Sequence, residues 1–309
     1  MAHIGRVLRT HLSNKNVDHE LRRVMDNLAG SAKYIRSHIQ RSIRGEAGST
    51  NSSGDTQACL DVLADQIIVE RLGHETSFGI AQLASEERDQ LVTFEGKGRY
   101  SVTLDPLDGS SLIDVNLAIG TIVGIHDEPL LGRSGRESLV AAMYMIYGPQ
   151  TTLVYTTGRG VHEFVLNAEG DWMLEQEDIR MREKGELYSP GVLRKEWTKE
   201  HVAFIAFLED QNYKLRYSGA LVADVNQVLL KKGGIFTYPG TSDKPRGKLR
   251  LLFELQPLAF IMEQAGGKAT DGNTDVLEIV PTSLEQRSPI YIGSKTEVEL
   301  AGRYLTLSS

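Results

Sequence analysis

The chain has 309 residues, of which 40% are hydrophobic and 24% are charged, and its formal net charge is −7. A chain of this length can bury a large core, divided between two domains or two sheets. The acidic balance is not offset by any basic block, which argues against nucleic acid and against an anionic membrane surface as partners. If such a protein holds an anionic substrate, it needs metal ions and local arginines to do so.

The cysteine content and the lengths of the apolar runs indicate the cellular compartment of the protein. A single cysteine, Cys59, excludes an intrachain disulfide and fits a reducing environment. No apolar run reaches the roughly 18 residues of a membrane span, and no signal-peptide apolar region follows Met1. The sequence therefore predicts a cytoplasmic protein, with an organelle as the alternative if a transit peptide has been removed.

The first long predicted element is an amphipathic helix of about six turns. Asp18 is a suitable N-cap, and the apolar residues that follow recur at spacings of three and four. This predicted apolar face comprises Leu21, Val24, Met25, Leu28, Ala32, Ile35 and Ile39. The pattern predicts that one side of the helix packs against the core.

A loop of small residues at 45–54 precedes a second predicted helix, which runs to Leu72. Asp55 begins this helix as its N-cap, and Asp61 lies further along it. Taken alone, these two carboxylates are typical of a cap and of a solvated helix position. A functional interpretation needs partners elsewhere in the chain.

Two short predicted strands supply such partners. The strand at 79–84 is followed by Glu86 and Glu87, and the strand at 100–104 is followed by the run DPLDGSS. Adjacent acidic residues are usually a solvated surface pair. Here both strands can end at one edge of a sheet, and ligands collect at strand ends of this kind.

The run DPLDGSS suits a metal ion and a phosphate group. Asp105 and Asp108 are three residues apart on a turn that a proline stiffens, and Mg²⁺ and Mn²⁺ prefer oxygen ligands. Gly109 allows a close backbone approach, and the amides and hydroxyls of Ser110 and Ser111 are free donors for phosphate oxygens. The alternative is an ordinary loop, because Asp-Pro and Asp-Gly are common turn dipeptides.

The remaining elements are predicted as scaffold. Strands are expected at 117–125 and 139–147, with a hairpin at 151–156 and 161–166. The polar segment 172–186 is the predicted domain boundary, which divides the chain into domains at 1–182 and 183–309. Helices are expected at 200–210, 220–231 and 258–265. The segment 248–254 alternates basic and apolar residues and is predicted as a strand, either with a functional basic face or as a solvated edge.

The run DPLDGSSLID at 105–114 resembles the motif of the lithium-sensitive, Mg²⁺-dependent sugar and inositol phosphatases. With further matches from Val17 to Tyr304, the chain is similar to the class I fructose-1,6-bisphosphatase family, which includes the sedoheptulose-1,7-bisphosphatases. The resemblance implies an α/β fold layered as α-β-α-β-α. It also implies hydrolysis of the 1-phosphate of fructose 1,6-bisphosphate by a metal-activated water, as in gluconeogenesis.

The resemblance gives each acidic position a role. Asp61 and Glu87 would orient or deprotonate the attacking water, and Asp55 would lie near the most loosely held ion. Two or three Mg²⁺ ions, or Mn²⁺, would be held by the Leu107 carbonyl and by carboxylates from separate segments: Glu86, Asp105, Asp108 and Glu254. Without cations, the mutual repulsion of these carboxylates would raise several of their pKa values.

The resemblance also implies how the substrate is held. Gly109, Ser110 and Ser111 would bind the reacting phosphate, with Arg250 near it. The distal phosphate would be bound by Arg216, Tyr217, Tyr238 and Lys248, and Arg216 would reach across the interface of a homodimer or homotetramer. The Ser110 hydroxyl is a competing nucleophile, but the sequence pattern offers it no neighbouring base, so it is interpreted as a phosphate ligand.

Several positions depart from the family pattern. Glu20 matches the family's AMP site, whereas Asp18, His19 and Arg22 do not, which leaves inhibition by AMP open. The run Ser189-Pro190-Gly191 lacks an expected asparagine and is similar to the sedoheptulose branch. Gly233 to Phe236 and Tyr238-Pro239 are similar to the fructose branch, so the sugar length is open.

Two further interpretations compete with a sugar bisphosphatase. An inositol monophosphatase would carry a W-D-x-A type motif, but Asp224 follows Leu221-Val222-Ala223 instead. A sugar-phosphate sensor without turnover would be expected to have lost a metal ligand or the base. Every acidic position of the pattern is retained, which favours an enzyme.

Overall fold

The fold is a five-layer α/β arrangement, seen in a computed structural model that describes residues 7–41, 46–50, 56–73, 79–95, 98–127 and 129–306. The helices α1 to α8 are Leu8–Asn14, His19–Gln40, Cys59–Gly73, Gly135–Ser138, Lys199–Asp210, Leu221–Gln227, Gln256–Gln264 and Lys295–Thr306. The strands β1 to β8 are Glu46–Thr50, Thr56–Ala58, Ile80–Ser85, Val92–Thr93, Tyr100–Asp108, Ile119–Asp127, Leu139–Tyr147 and Thr151–Thr156. The strands β9 to β15 are His162–Leu166, Trp172–Gln176, Leu187–Pro190, Lys214–Leu215, Gly234–Tyr238, Lys268–Thr270 and Ile290–Gly293.

Two mixed sheets organise these elements. The larger has eight strands in the order β10-β9-β8-β7-β6-β5-β3-β4, and only β3 and β5 pair in parallel. The smaller has the order β12-β11-β13-β15-β14, with β11 parallel to both of its neighbours. The two sheets come from separate stretches of the chain, while the domain division between residues 182 and 183 stays a prediction.

Helices cover the sheets in three layers. α1, α2 and α3 pack on one face of the eight-stranded sheet, and α6 and α7 lie between the two sheets. α5 and α8 cover the outer face of the five-stranded sheet, around Phe204 and Tyr291. The predicted α-β-α-β-α order is therefore confirmed. Within the described ranges, no helix combines the length and apolarity needed to cross a membrane.

The predicted amphipathic helix is α2. The Asp18 carboxylate caps it by accepting hydrogen bonds from the amides of Glu20 and Leu21, at 3.0 and 3.2 Å. Of the predicted apolar face, all but Ile39 are buried. The indole N–H of Trp172 in β10 donates to the Ala29 carbonyl at 3.0 Å, which ties the buried side of α2 to the sheet.

The start of the second predicted helix is wrong. α3 begins at Cys59, and Thr56–Ala58 forms a strand that pairs with Glu46–Thr50. The N-cap pattern at Asp55 is local, whereas the strand is stabilised by hydrogen bonds to a segment that the sequence pattern did not identify as its partner. The predicted loop at 45–54 is thus partly a strand, and Asp55 itself lies outside the described residues.

The strand predicted at 248–254 is also wrong. Leu251–Leu255 is a π-helical turn that leads into α7, and Leu251, Leu252 and Phe253 are all buried. The alternating pattern predicts a strand with one face in solvent. Consecutive buried side chains do not fit such a strand, because neighbouring residues of a strand point to opposite faces. The turn is capped at its start, because the Glu254 carboxylate accepts a hydrogen bond from the Arg250 amide.

Candidate active site

The ends of two parallel strands bring the first acidic residues together. Ser85 of β3 lies opposite Leu104 of β5, so Glu86, which follows β3, lies beside Asp105 of β5. The Glu86 amide donates to the Leu104 carbonyl at 2.9 Å, which fixes this junction. The predicted convergence of the two strand ends is confirmed.

A β-bulge places Asp105 and Asp108 at one site. The predicted strand end at residue 104 is wrong, because β5 continues to Asp108. Asp105 pairs with Ile122 and Asp108 with Gly120, so three steps along β5 face two steps along β6. In a regular strand, residues three apart point to opposite faces, and the extra residue of a bulge changes that direction.

The turn after the bulge fits closely against α6. Gly109 has a φ of 81°, and a Cβ atom there would lie 2.5 Å from the Cβ of Ala220. Only glycine suits such a position, because other residues are strained at this φ and have no space. Asp108 accepts a hydrogen bond from the Val222 amide at 2.7 Å, which holds its carboxylate against the start of α6.

The π-helical turn before α7 supplies the third carboxylate, Glu254. Oxygen atoms of Asp105, Asp108 and Glu254 all lie within 4.8 Å of one another. Arg250, four residues before Glu254, is buried and pairs with Glu86 through its guanidinium, whose Nε also lies 3.3 Å from Glu285. Three carboxylates at this separation are a donor set that fits a hard divalent cation.

These groups line one cavity of about 340 Å³. The predicted site residues in its wall are Asp61, Glu86, Glu87, Asp105, Asp108, Gly109, Ser110, Ser111, Tyr217, Tyr238, Lys248, Arg250 and Glu254. Leu107 is buried next to it, and its amide donates to Asp105 at 3.0 Å. Arg216 is exposed and outside the wall, where its guanidinium donates to the Leu215 carbonyl at 2.9 Å.

Burial and mutual repulsion raise the pKa values of the carboxylates in this cavity. Burial, together with the charge of Glu254, raises the pKa of Glu86 to about 8. Burial raises the pKa values of Asp108 and of Glu254 to about 7 each, although each carboxylate accepts a backbone hydrogen bond that opposes the shift. The pKa of Asp105 is raised well above its ordinary value, first by burial and then by Glu86. A bound cation would remove the repulsion that these shifts express.

The expectation that Ser110 lacks a base is wrong. Its hydroxyl donates to Asp61 Oδ2 at 3.0 Å, from the start of the 3₁₀ turn Ser110–Val115 to the first turn of α3. Sequence reasoning missed this pair because the two residues lie on separate helical turns 49 positions apart. The contact gives the Ser110 hydroxyl a neighbouring carboxylate, so its role needs a direct test.

Sequence reasoning also missed Asp224, which supports the phenolic end of the cavity. Its two carboxylate oxygens accept from the Ser218 amide at 2.9 and 3.0 Å, beside Tyr217. The sequence did contain a sign of this role, because Asp224 is a carboxylate within the apolar face of α6, next to Val225. Burial raises the pKa of the Tyr217 phenol to about 12, with Tyr238 close by, so this phenol remains a proton donor at neutral pH.

Two family models and several relatives match this chain. The N-terminal domain model of fructose-1-6-bisphosphatase matches residues 5–177, and the C-terminal domain model matches residues 181–306. The class 1 fructose-1,6-bisphosphatase of Pelobacter propionicus is 48% identical over 300 residues, which are 96% of this chain and 92% of the relative. That of Geobacter sulfurreducens is 47% identical, over 96% of this chain and 95% of the relative.

Solved structures from both branches have the same fold. The Leishmania major fructose-1,6-bisphosphatase in its holo form is 34% identical, with a TM-score of 0.91 over 97% of this chain and 98% of that chain. A Toxoplasma gondii protein assigned as a sedoheptulose-1,7 bisphosphatase is 27% identical, with a TM-score of 0.90 over 98% of this chain and 99% of that chain. With its bulged DPLDG strand and its cluster of carboxylates, the chain belongs to the class 1 fructose-1,6-bisphosphatase family, whose members are metal-dependent phosphoric monoester hydrolases.

Proposed function

We propose that this chain hydrolyses the 1-phosphate of fructose 1,6-bisphosphate, giving fructose 6-phosphate and phosphate. The observation that carries the proposal is the carboxylate cluster beside the Ser110-Ser111 turn, in a chain 48% identical to a fructose-1,6-bisphosphatase. A phosphate monoester needs positive charge on its oxygens and a place for the attacking water. The cavity wall offers residues for both.

Mg²⁺ is the proposed cofactor, at two or three ions per subunit, with Mn²⁺ as the alternative. Glu86, Asp105, Asp108 and Glu254 would hold the ions, together with the Leu107 carbonyl. When bound, the ions supply positive charge for the phosphoryl oxygens and acidity for the attacking water. Four carboxylates with raised pKa values, two of them buried and two half-buried, support this donor set, because they are unfavourable without cations.

The remaining residues act on the water and the reacting phosphate. We propose that Asp61 and Glu87 orient the water and accept its proton, since both line the cavity. Asp55 is proposed to assist them. Ser110 and Ser111, which follow the tight turn at Gly109, donate hydrogen bonds to the reacting phosphate, and Arg250 neutralises its charge.

The distal phosphate is proposed to bind at the other end of the cavity, to Tyr217, Tyr238 and Lys248. These residues also line an adjoining cavity of about 490 Å³, which contains Lys244. Arg216 is exposed at the edge of this region and is proposed to serve the neighbouring subunit of a homodimer or homotetramer. A second subunit would then complete the distal site.

We also propose a cytoplasmic location for this enzyme and a division of the chain into domains at 1–182 and 183–309.

Sedoheptulose 1,7-bisphosphate is the second candidate substrate. The adjoining cavity favours it, because space beyond Tyr238 leaves room for a sugar that is one carbon longer. One site can turn over both sugars, because the two substrates have the same 1-phosphate end. The ratio of the two specificities is therefore the quantity to measure.

The purified enzyme with Mg²⁺ should release phosphate from both bisphosphates. We expect kcat/KM for fructose 1,6-bisphosphate to exceed that for sedoheptulose 1,7-bisphosphate by about tenfold, since one carbon changes the fit of the distal phosphate. Inositol 1-phosphate, which lacks a distal phosphate, should be the poorest of the three. Inertness of both bisphosphates would disprove the proposed activity, and a reversed ratio would assign the chain to the sedoheptulose branch.

Replacing Asp105 by Asn should lower kcat by about 10³-fold, because a metal ligand contributes several kcal/mol to the stabilisation of transition-state charge. Asp114→Asn is the matched control: it makes the same chemical change at an exposed position of the 3₁₀ turn that follows β5. That variant should keep kcat within about twofold of the parent. Equal losses in the two variants would mean that the turn, and not the ligand, was damaged.

Metal binding should release protons at neutral pH. Glu86, Asp108 and Glu254 have raised pKa values of about 8, 7 and 7, so they are partly protonated at pH 7 and must lose protons to bind a cation. Affinity for Mg²⁺ should therefore strengthen as the pH rises from 6 to 8. Calorimetric titration in two buffers with different ionisation enthalpies measures the released protons, and identical heats in both buffers would contradict the protonated state.

Ser110→Ala distinguishes a phosphate ligand from a nucleophile. As a ligand, the hydroxyl contributes one hydrogen bond to a charged group, so its loss should lower kcat/KM by about 10- to 100-fold. Rapid quenching of the parent with ³²P-labelled substrate should trap no phosphoenzyme. A trapped phosphoserine that disappears in Ser110→Ala would assign the attack to Ser110, with Asp61 as its base.

A further inference from the structure

The active-site cavity continues into the adjoining cavity of about 490 Å³. Tyr217, Tyr238 and Lys248 line both cavities and form the boundary between them. Burial raises the pKa of the Tyr238 phenol, and the charges of Glu254 and Glu196 raise it further. Glu254 belongs to the carboxylate cluster and Glu196 to the wall of the adjoining cavity, so this phenol lies between charges on both sides. A ligand that extends past the boundary therefore meets a different set of groups.

Three charged side chains line the adjoining cavity beyond this boundary. Lys244 is the cation among them, and Glu196 and Asp243 are the carboxylates. All three are exposed, and none forms an ion pair with another residue that the structure describes. Such groups can bind a ligand that carries both an anionic group and a hydroxyl donor.

Backbone hydrogen bonds hold Lys244 in a turn. Its amide donates to the Thr241 hydroxyl at 3.0 Å, and its carbonyl accepts from the amides of Thr241 at 3.0 Å and Gly247 at 2.9 Å. The turn connects Tyr238 to Lys248, which are two residues of the boundary. The backbone of Lys244 is therefore anchored close to the boundary before a ligand binds, while its long side chain can still adjust.

A strained residue directs the opposite side of the wall. Val192 has a φ of 68°, which is unusual for a β-branched residue. Gly191, just before it, is held on both sides, because its amide donates to the Thr237 carbonyl at 2.7 Å and its carbonyl accepts from the Trp197 indole at 2.9 Å. The chain then enters the 3₁₀ turn Arg194–Glu196, whose last residue lies in the cavity wall. Strain of this kind persists where the surrounding structure fixes it, and it is common at binding sites.

The two candidate sugars differ in what they present at this boundary. In the furanose form, sedoheptulose 1,7-bisphosphate has one more CHOH group than fructose 1,6-bisphosphate, between the ring and the distal phosphate. The phosphate of the longer sugar therefore extends beyond Tyr217, Tyr238 and Lys248 and needs a cation there, and the extra hydroxyl needs an acceptor. Lys244 and Glu196 are a cation and an acceptor of this kind.

We propose that Glu196 and Lys244 form a subsite for the tail of a seven-carbon sugar bisphosphate. Glu196 accepts a hydrogen bond from the extra hydroxyl, and Lys244 pairs with the distal phosphate. The hydroxyl is assigned to Glu196, and not to Asp243, because the charge of Glu196 acts on the Tyr238 phenol at the boundary. The subsite rests on the proposed function, since it extends the same substrate cavity.

The test compares the binding of sedoheptulose 7-phosphate and fructose 6-phosphate, by calorimetric titration of the enzyme with Mg²⁺. Both compounds carry the distal phosphate and lack the 1-phosphate, so the measurement does not depend on turnover. Lys244→Gln should lower the affinity for sedoheptulose 7-phosphate, relative to that for fructose 6-phosphate, by about tenfold, because a charge-assisted hydrogen bond is lost. Glu196→Ala should lower the same ratio by about threefold, because fructose 6-phosphate lacks the extra hydroxyl.

Two matched controls change the same kinds of side chain outside the linings of both cavities. Arg246→Gln removes a positive charge from the same segment as Lys244, and Glu200→Ala removes a carboxylate four positions after Glu196. Each should leave the ratio within about twofold of that of the parent.

The subsite is disproved if the parent does not bind sedoheptulose 7-phosphate, or if Lys244→Gln and Glu196→Ala both keep the parent's ratio of affinities. Thermal melting checks that each variant is folded. A failure of the proposed function would be seen separately, as the absence of phosphate release from both bisphosphates.

Discussion

Repulsion among buried carboxylates is the constraint around which the active site is built. Asp105, Asp108 and Glu254 have oxygens within 4.8 Å of one another, and each accepts a backbone hydrogen bond, from Leu107, Val222 and Arg250 respectively. These bonds fix the carboxylates where their charges are least favourable. Binding of a cation would offset this unfavourable free energy, so the carboxylates are preorganised for a metal ion.

The layered fold is what brings the carboxylates together from distant parts of the chain. The bulge in β5 turns two of them to one side, and the middle helical layer supplies the groups that face them, through the start of α6 and the start of α7. α6 and α7 are packed between the two sheets and share one apolar core with both. Displacing either helix would therefore disturb the carboxylate cluster and the core at the same time.

Local sequence patterns predicted those features of the fold that depend on residues close together in the chain. The helix α2, its Asp18 cap and the convergence of Glu86 with Asp105 follow from periodicity and from parallel strand ends. The bulge at Asp105 could not be predicted, because it depends on the register of β5 against β6. The segment 248–254 was misjudged because its residue types alternate, whereas its side chains from Arg250 to Glu254 are buried one after another. The contact of Ser110 with Asp61 depends on how two helical turns pack, which no spacing in the chain encodes.

α3 runs from the active-site cavity to a second cavity, whose lining includes Arg9, Arg22, Arg23 and Arg71. Asp61 lies in its first turn and Arg71 in its last, so each charge is favourably placed with respect to the helix dipole. Ten residues of helix separate them by roughly 15 Å. Charges at that distance are largely screened at physiological salt, where the Debye length is about 8 Å. A change of charge at Arg71 would therefore have little direct electrostatic effect on Asp61.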